Sequence, residues 1–322
     1  MDIVCLGELL VDMFPAEVGR TLVEVSAFQP KPGGAPANVA VAASRLEAQS
    51  AFIGKVGDDP FGHHLADTLK REGVEVKGIC FDQYARTSMA FIALPDANTA
   101  EFVFYRNPGA DMRLKPEELD RSLLVSARSF HFGSISLIDE PSRSATLDAL
   151  DTAREAGALI SFDVNYRPML WPGPDQAIER IKATLPLVHL VKVNDVELKL
   201  LTGTDDLEAG SNRLLDEGPE LCVVTLGPEG SYFQIASVGE YVSPFRVDTV
   251  DATGCGDAFV AGLLVKLISD GEWQDKMERD RLFKILRYAN AVGAITALTL
   301  GVIPALPTAD QVDKFLAAYQ GQ

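Results

Sequence analysis

Six short apolar runs, each closing on glycine or a polar residue and separated by amphipathic stretches, set the fold open to this chain. They are IVCLG (3–7), AFIGKVG (51–57), SFHFGS (129–134), LISFDVN (159–165), LVKVN (190–194) and LCVVTLG (221–227). Their alternation with helical stretches is a βαβ rhythm, which predicts an α/β fold with a mostly parallel sheet covered by helices on both faces. Function in such sheets sits beyond the C-terminal ends of the strands. Polar and glycine residues gather there, since Gly7-Glu8, Asp163 to Asn165, Asn194 and Thr225 to Gly227 follow directly on the strand-like runs.

Two segments break the rhythm. Residues 8–32 and about 84–106 alternate as hairpins do, the second around a turn-like Asp96-Ala97-Asn98, with no helix between the strands. They predict a small sheet standing off the main body, whose apolar face needs a partner: a ligand beneath it as a lid, or a second subunit. No Pro/Gly/Ser tract separates a second domain, so residues 1–322 are expected to form one domain with a lid. Residues 280–300 carry apolar positions at helical spacing and predict a long helix.

With 322 residues, 47% of them hydrophobic, the chain can fill a substantial core. Its net charge of -17 excludes the basic stripe of a nucleic-acid-binding protein. Cys5, Cys80, Cys222 and Cys255 lie far apart with no paired spacing, so neither a disulfide framework nor a zinc site is expected, and a reducing cytoplasm fits. No basic region precedes an apolar stretch at the N-terminus, and IVCLG is too short to span a membrane. His131 falls in a strand-like run and is expected to be a core histidine, while His63 and His64 are expected on a helix face.

Two glycine-rich elements carry the chemistry. In VDATGCGDAF (250–259), Asp257 follows Gly254, Cys255 and Gly256 at the start of an apolar helix. One reading is a helix cap. The other is an anion cradle of bare N–H groups with a base beside it, the arrangement that phosphoryl transfer needs. In KPGGAPANVAVAASRL (31–46), Gly33 and Gly34 allow close backbone approach, Pro36 suits a first helical turn and Asn38 projects its amide from that turn. TLGPEG (225–230) by itself is a hairpin turn. The chain contains no GxxxxGK[ST], which excludes a P-loop, and GCGDAF lacks the third glycine of a dinucleotide fingerprint.

These residues resemble the ribokinase-like, phosphofructokinase B type carbohydrate kinases over essentially the whole chain. GGAPANVAVAASRL through GKVGDDPFG is similar to that family's N-terminal signature and DATGCGDAFVAGLL to its C-terminal one. FVFYRNPGADM (102–112), FHFGSISLIDEP (130–141) and GVIPALPT (301–308) resemble the fructokinase members. Glu47 stands where a glycine usually follows the RL of the first signature, a change expected to alter only a helix end. Cys255 replaces the usual alanine of the second and still offers its backbone N–H.

The resemblance implies Asp257 as the base for a sugar's terminal hydroxyl and the N–H groups of Gly254, Cys255, Gly256 and Asp257 as the anion hole. It places Asp12, Gly33, Gly34 and Asn38 on sugar hydroxyls, and Arg106 and Arg167 near the sugar or the transferring phosphate. Asn194 and Glu197 match the element that positions magnesium on the triphosphate through waters, Thr225, Gly227 and Gly230 the nucleotide loop, and Asn290 a residue beside adenine. Asp251, Thr253 and Gly301 match a monovalent-cation site, for potassium, that braces the anion hole in several relatives. The expected activity is ATP-dependent phosphorylation of fructose to fructose 6-phosphate by a cytoplasmic homodimer paired through its lids, with no nucleic-acid or membrane partner. A 2-keto-3-deoxygluconate kinase is the rival, and a catalytically silent sugar-binding α/β protein is an alternative of another class.

Overall fold

The computed structural model describes residues 1–93, 95, 101–236 and 238–319. The Asp96-Ala97-Asn98 turn lies outside the described residues. The strands are β1 (Ile3–Leu6), β2 (Leu10–Pro15), β3 (Phe28–Gly33), β4 (Ser50–Gly57), β5 (Glu75–Asp82), β6 (Met89–Ala93), β7 (Glu101–Tyr105), β8 (Ser129–Gly133), β9 (Leu159–Asp163), β10 (Leu190–Asn194), β11 (Leu221–Thr225), β12 (Ser231–Ile235) and β13 (Val238–Val242). Nine of them form one sheet in the order β13-β12-β11-β10-β9-β8-β1-β4-β5, and four form a second in the order β3-β2-β6-β7.

Every neighbour pair from β11 across to β5 is parallel. β12 and β13 close the far edge as antiparallel strands. All six apolar runs are among the parallel strands. They lack in/out alternation because both faces are covered: successive residues point to opposite sides, and each side meets its own core. Ile3 and Cys5 of β1 pack into one core with the helices Ala35–Arg45, Cys255–Ile268 and Arg279–Thr296. Val4 and Leu6 pack into the other, with Phe130, Phe132 and Phe162 and the helices Ser142–Glu155 and Pro174–Thr184.

Winding reverses at β1. The chain leaves it for β4 and β5 on one side, then returns to β8 on the other, and such a reversal opens a crevice at the C-terminal strand ends. Parallel register aligns those ends: Gly133 pairs with Asp163, Lys192 with Asp163, and Asn194 with Thr225.

The second sheet comes from the two segments that broke the rhythm. β2 is antiparallel to β3 and parallel to β6, and β6 is antiparallel to β7. β3 runs one residue past the expected segment to end on Gly33, so Gly34 starts the helix Ala35–Arg45 directly. On β7, Val103 and Tyr105, exposed by 43% and 66%, share one face, an apolar surface without a cover among the described residues, and Phe102, exposed by 39%, lies on the other. The predicted C-terminal helix spans Arg279–Thr296. His131 is buried against Ser161, and His63 and His64 are exposed on the helix Pro60–Arg71, as expected.

Candidate active site

Two helices bring the glycine-rich elements together. Gly254 precedes the helix Cys255–Ile268 with φ +77°, and a Cβ there would come within 2.3 Å of the Val302 side chain, so only glycine fits. Asp257 occupies the third position of that helix, yet caps none of its N–H groups. Its Oδ2 instead accepts a 2.8 Å hydrogen bond from Asn38 Nδ2, on the helix Ala35–Arg45. Of the two readings of Asp257, capping is therefore not the one its contacts take. The Asn38 helix starts at Gly34, with φ +111°, where a Cβ would lie 2.3 Å from the Glu8 carbonyl oxygen. At Gly33 a Cβ would lie 2.0 Å from Asp12 Oδ2, so the glycine pair is the space in which Asp12 and the β1–β2 turn approach the helix.

Three acids share this place. Burial pushes Asp257 up to about 6, with Asp163 adding to the rise while Asn38, Arg167 and Lys192 oppose it. Asp12 is pushed up to about 7 by burial, then by the charges of Asp257 and Glu8. Glu8, in the turn from β1 to β2, is also pushed up to about 7 by burial. Its Oε1 accepts the Ala35 N–H at 2.9 Å. Glu8 Oε2 and Asn38 Oδ1 are buried with no partner among the described residues. Acceptors of that kind are costly unless a ligand's donors satisfy them.

The arginines differ. Arg106 is buried and its Nε donates to Asp111 Oδ2 at 2.6 Å, so a carboxylate already holds it. It also lines a cavity of about 360 Å³ with Phe104, Asn107, Met169 and Trp171. Arg167 is exposed, and its charge acts on both Asp12 and Asp257.

Asn194 and Glu197 form a reciprocal cap on the helix Asp195–Thr202. Asn194 Oδ1 accepts the Glu197 N–H and Glu197 Oε2 accepts the Asn194 N–H, each at 2.8 Å. Glu197 Oε1 accepts the Tyr166 N–H at 2.7 Å, and the carboxylate is buried rather than on a solvated helix face. No three or more His, Cys, Asp or Glu side chains converge on a metal-sized site among the described residues. Asn194 and Glu197 thus serve the start of their own helix, each Glu197 oxygen accepting one backbone N–H.

Thr225 ends β11, and Gly227 and Gly230 take φ of +57° and +101° in the turn to antiparallel β12. That turn is a hairpin, as TLGPEG reads by itself. Asn290 Nδ2 donates to the Val242 and Ser243 carbonyls. Asp251 joins its expected partners directly: Oδ1 accepts from Thr253 N and Oγ1, and Oδ2 from Gly301 N at 2.9 Å. Burial pushes the Cys255 thiol up to about 12, leaving it protonated and inert beside the helix start.

Sequence reasoning gave no role to the ion pair of Lys192 with Asp163, 3.1 Å apart and buried. Its only sequence signal is a charged residue inside each of two apolar runs, KVN and FDVN.

An acid oriented by an amide beside glycine-bounded helix starts can serve phosphoryl transfer. The model of the pfkB family of carbohydrate kinases matches residues 1–309. The chain belongs to that family. It is 48% identical over 317 residues to "Probable fructokinase-2" of Arabidopsis thaliana, covering 98% of this chain and 95% of that protein. Among solved structures, the fructokinase of Xylella fastidiosa with bound ATP superposes with a TM-score of 0.91 at 33% identity, covering 99% of both chains. The fructokinase of Vibrio cholerae O395 with fructose, ADP and calcium gives 0.87 at 34% identity, covering 98% of both. A double mutant of that protein was solved with fructose, ADP and potassium. In this pfkB-family kinase the mostly parallel sheet with its small second sheet is the ribokinase-like fold the sequence implied.

Proposed function

We propose that this kinase transfers the γ-phosphoryl group of ATP to the 6-hydroxyl of fructose. Its strongest support is the placement of Asp257, oriented by Asn38 on one side and seated in the first turn of a glycine-bounded helix. A carboxylate pushed up to about 6 remains ionised at neutral pH and is a better proton acceptor than an ordinary aspartate. It orients the hydroxyl and takes its proton late, as charge moves to phosphorus, while the N–H groups of Gly254, Gly256 and Asp257 receive the phosphoryl oxygens; that of Cys255, expected to join them, donates instead to the Ala252 carbonyl at 3.3 Å. Asp12, Asn38 and the Gly33-Gly34 backbone hold the sugar's hydroxyls.

A neutral polyol suits this pocket better than a sugar acid. Glu8 Oε2 and Asn38 Oδ1 want donors, Asp12 repels a carboxylate once ionised above about pH 7, and Arg106 already has Asp111. The rival, 2-keto-3-deoxygluconate, brings a carboxylate to the same acids. Magnesium, held through waters near Asn194 and Glu197, would neutralise triphosphate charge when bound. Thr225, Gly227, Gly230 and Asn290 face the nucleotide. Potassium beside Asp251, Thr253 and Gly301 would brace the helix start, since Asp251 already ties those loops together. The four-stranded sheet acts as the lid, and two lids pair in a homodimer. No helix among the described residues is long and apolar enough to cross a membrane, and the four cysteines are free, in keeping with a cytoplasmic enzyme.

An ATP-consumption assay over a panel of sugars tests the reading. Fructose should drive ATP loss with fructose 6-phosphate as product. Absence of ATP loss with every sugar would favour the silent binding protein.

A further inference from the structure

One buried ion pair has so far acted only through its charges on Asp257. Lys192 of β10 and Asp163 of β9 are register partners, so parallel pairing sets their side chains side by side on one face of the sheet. Lys192 Nζ donates to both Asp163 oxygens at 3.1 Å. The flanking residues Val191, Val193 and Phe162 are fully buried and apolar, and apolar residues would serve stability at least as well as a desolvated ion pair. The pair is not placed for packing.

Its location suggests a different use. A Cβ added to Gly256 would stand 3.5 Å from Lys192 Nζ, so the ammonium abuts the first turn of the Asp257 helix, and Gly256 leaves that side uncovered. An ammonium has three N–H donors. Asp163 takes two, and no other acceptor meets Nζ among the described residues. His131, on the neighbouring strand, is pushed down to about 4 by burial and is neutral, so it does not compete as a cation.

We propose that Lys192, held in place by Asp163, contacts the γ-phosphate of ATP and makes the site prefer ATP over ADP. The assignment rests on the helix start being the phosphoryl-transfer centre. During the reaction the bond from phosphorus to the ADP oxygen breaks, the bond to the sugar 6-oxygen forms, and the hydroxyl proton passes to Asp257. Lys192 keeps its protons throughout and acts by charge. Once the phosphoryl group has left with the sugar, ADP offers Lys192 nothing to hold, which favours its release. Lys192 is thus a catalytic residue and Asp163 a positioning one.

Calorimetric titration with ATP and with ADP, in magnesium buffer without sugar, tests the assignment. The double variant Lys192→Met with Asp163→Asn removes both charges and avoids stranding a buried carboxylate. Its ATP affinity should fall roughly ten- to a hundredfold, the span of one charge-assisted hydrogen bond, with ADP affinity kept within about twofold. Retained ADP binding also reports an intact fold. Asp163→Asn alone, which keeps the ammonium but loosens it, should show the same split at smaller size. Parallel losses for ATP and ADP, or unchanged ATP affinity, would overturn the assignment. The titrations read out whether or not fructose proves to be the substrate, so failure of the functional reading stays separable.

Discussion

Glu47 shows how much a single position can reveal. It follows the helix Ala35–Arg45 with φ +70°, the left-handed conformation that a glycine adopts without cost. The sequence marked this residue as a departure at a helix end, and the backbone keeps the glycine geometry regardless. Glu47→Gly should therefore stabilise the protein by up to about 1 kcal/mol, strain relief outweighing the added freedom of the unfolded chain. Denaturant titration would check it, and a destabilised variant would contradict it. Asp257→Ala should lower kcat by roughly 10²–10⁴ with little change in nucleotide binding. Since the base must be ionised, kcat/KM of the wild type should fall as pH drops below about 6, the value to which burial lifts Asp257. Asp257 and Asn38 were legible because glycine spacing and helix starts advertise them. Glu8 was legible only as a polar residue past a strand, and Lys192 not at all, because a charge inside an apolar run has no sequence signature until register shows what it faces.

At the scale of elements, buried parallel strands were the most legible, since burial on two faces demands short unbroken apolar runs. β5 (EVKGICFD) and β13 escaped notice because they are the sheet's edge strands, relieved of that demand on one side, and β12 because Ser231 and Gln234 interrupt its buried apolar run. The small sheet was readable as alternation, but its strand order, with β2 parallel to β6, depends on contacts between distant segments. Val103 and Tyr105, on one face of β7, should pack against a second copy's sheet, since an exposed apolar strand face is otherwise a liability. Sedimentation at micromolar concentration should give a dimer for the wild type and a monomer for Val103→Glu with Tyr105→Glu. A monomeric wild type would refute the pairing.

For the whole molecule, the acids at the site set activity against stability. Asp257, with its folded-state pKa above the unfolded value, favours the folded state most when protonated. That contribution is lost as pH rises from the ordinary aspartate range through about 6. Asp257→Asn should therefore raise Tm at pH 7.5 by at least about 2 °C while lowering turnover as Asp257→Ala does, with the gain gone near pH 4. An equal gain at both pH values would assign it to packing instead. Fold and catalytic class were legible because two signatures and six strands point the same way. Substrate choice was least legible, because it turns on which charges converge and which are already paired. The direct test is kcat/KM of the purified enzyme for fructose against 2-keto-3-deoxygluconate. Well above pH 7, where Asp12 is ionised, fructose should lead by at least about tenfold, and Asp12→Asn should narrow the gap by removing the repulsion of the carboxylate. Equal or reversed preference in the wild type would contradict the fructokinase reading and make Arg106 and Arg167 ligands of a sugar acid.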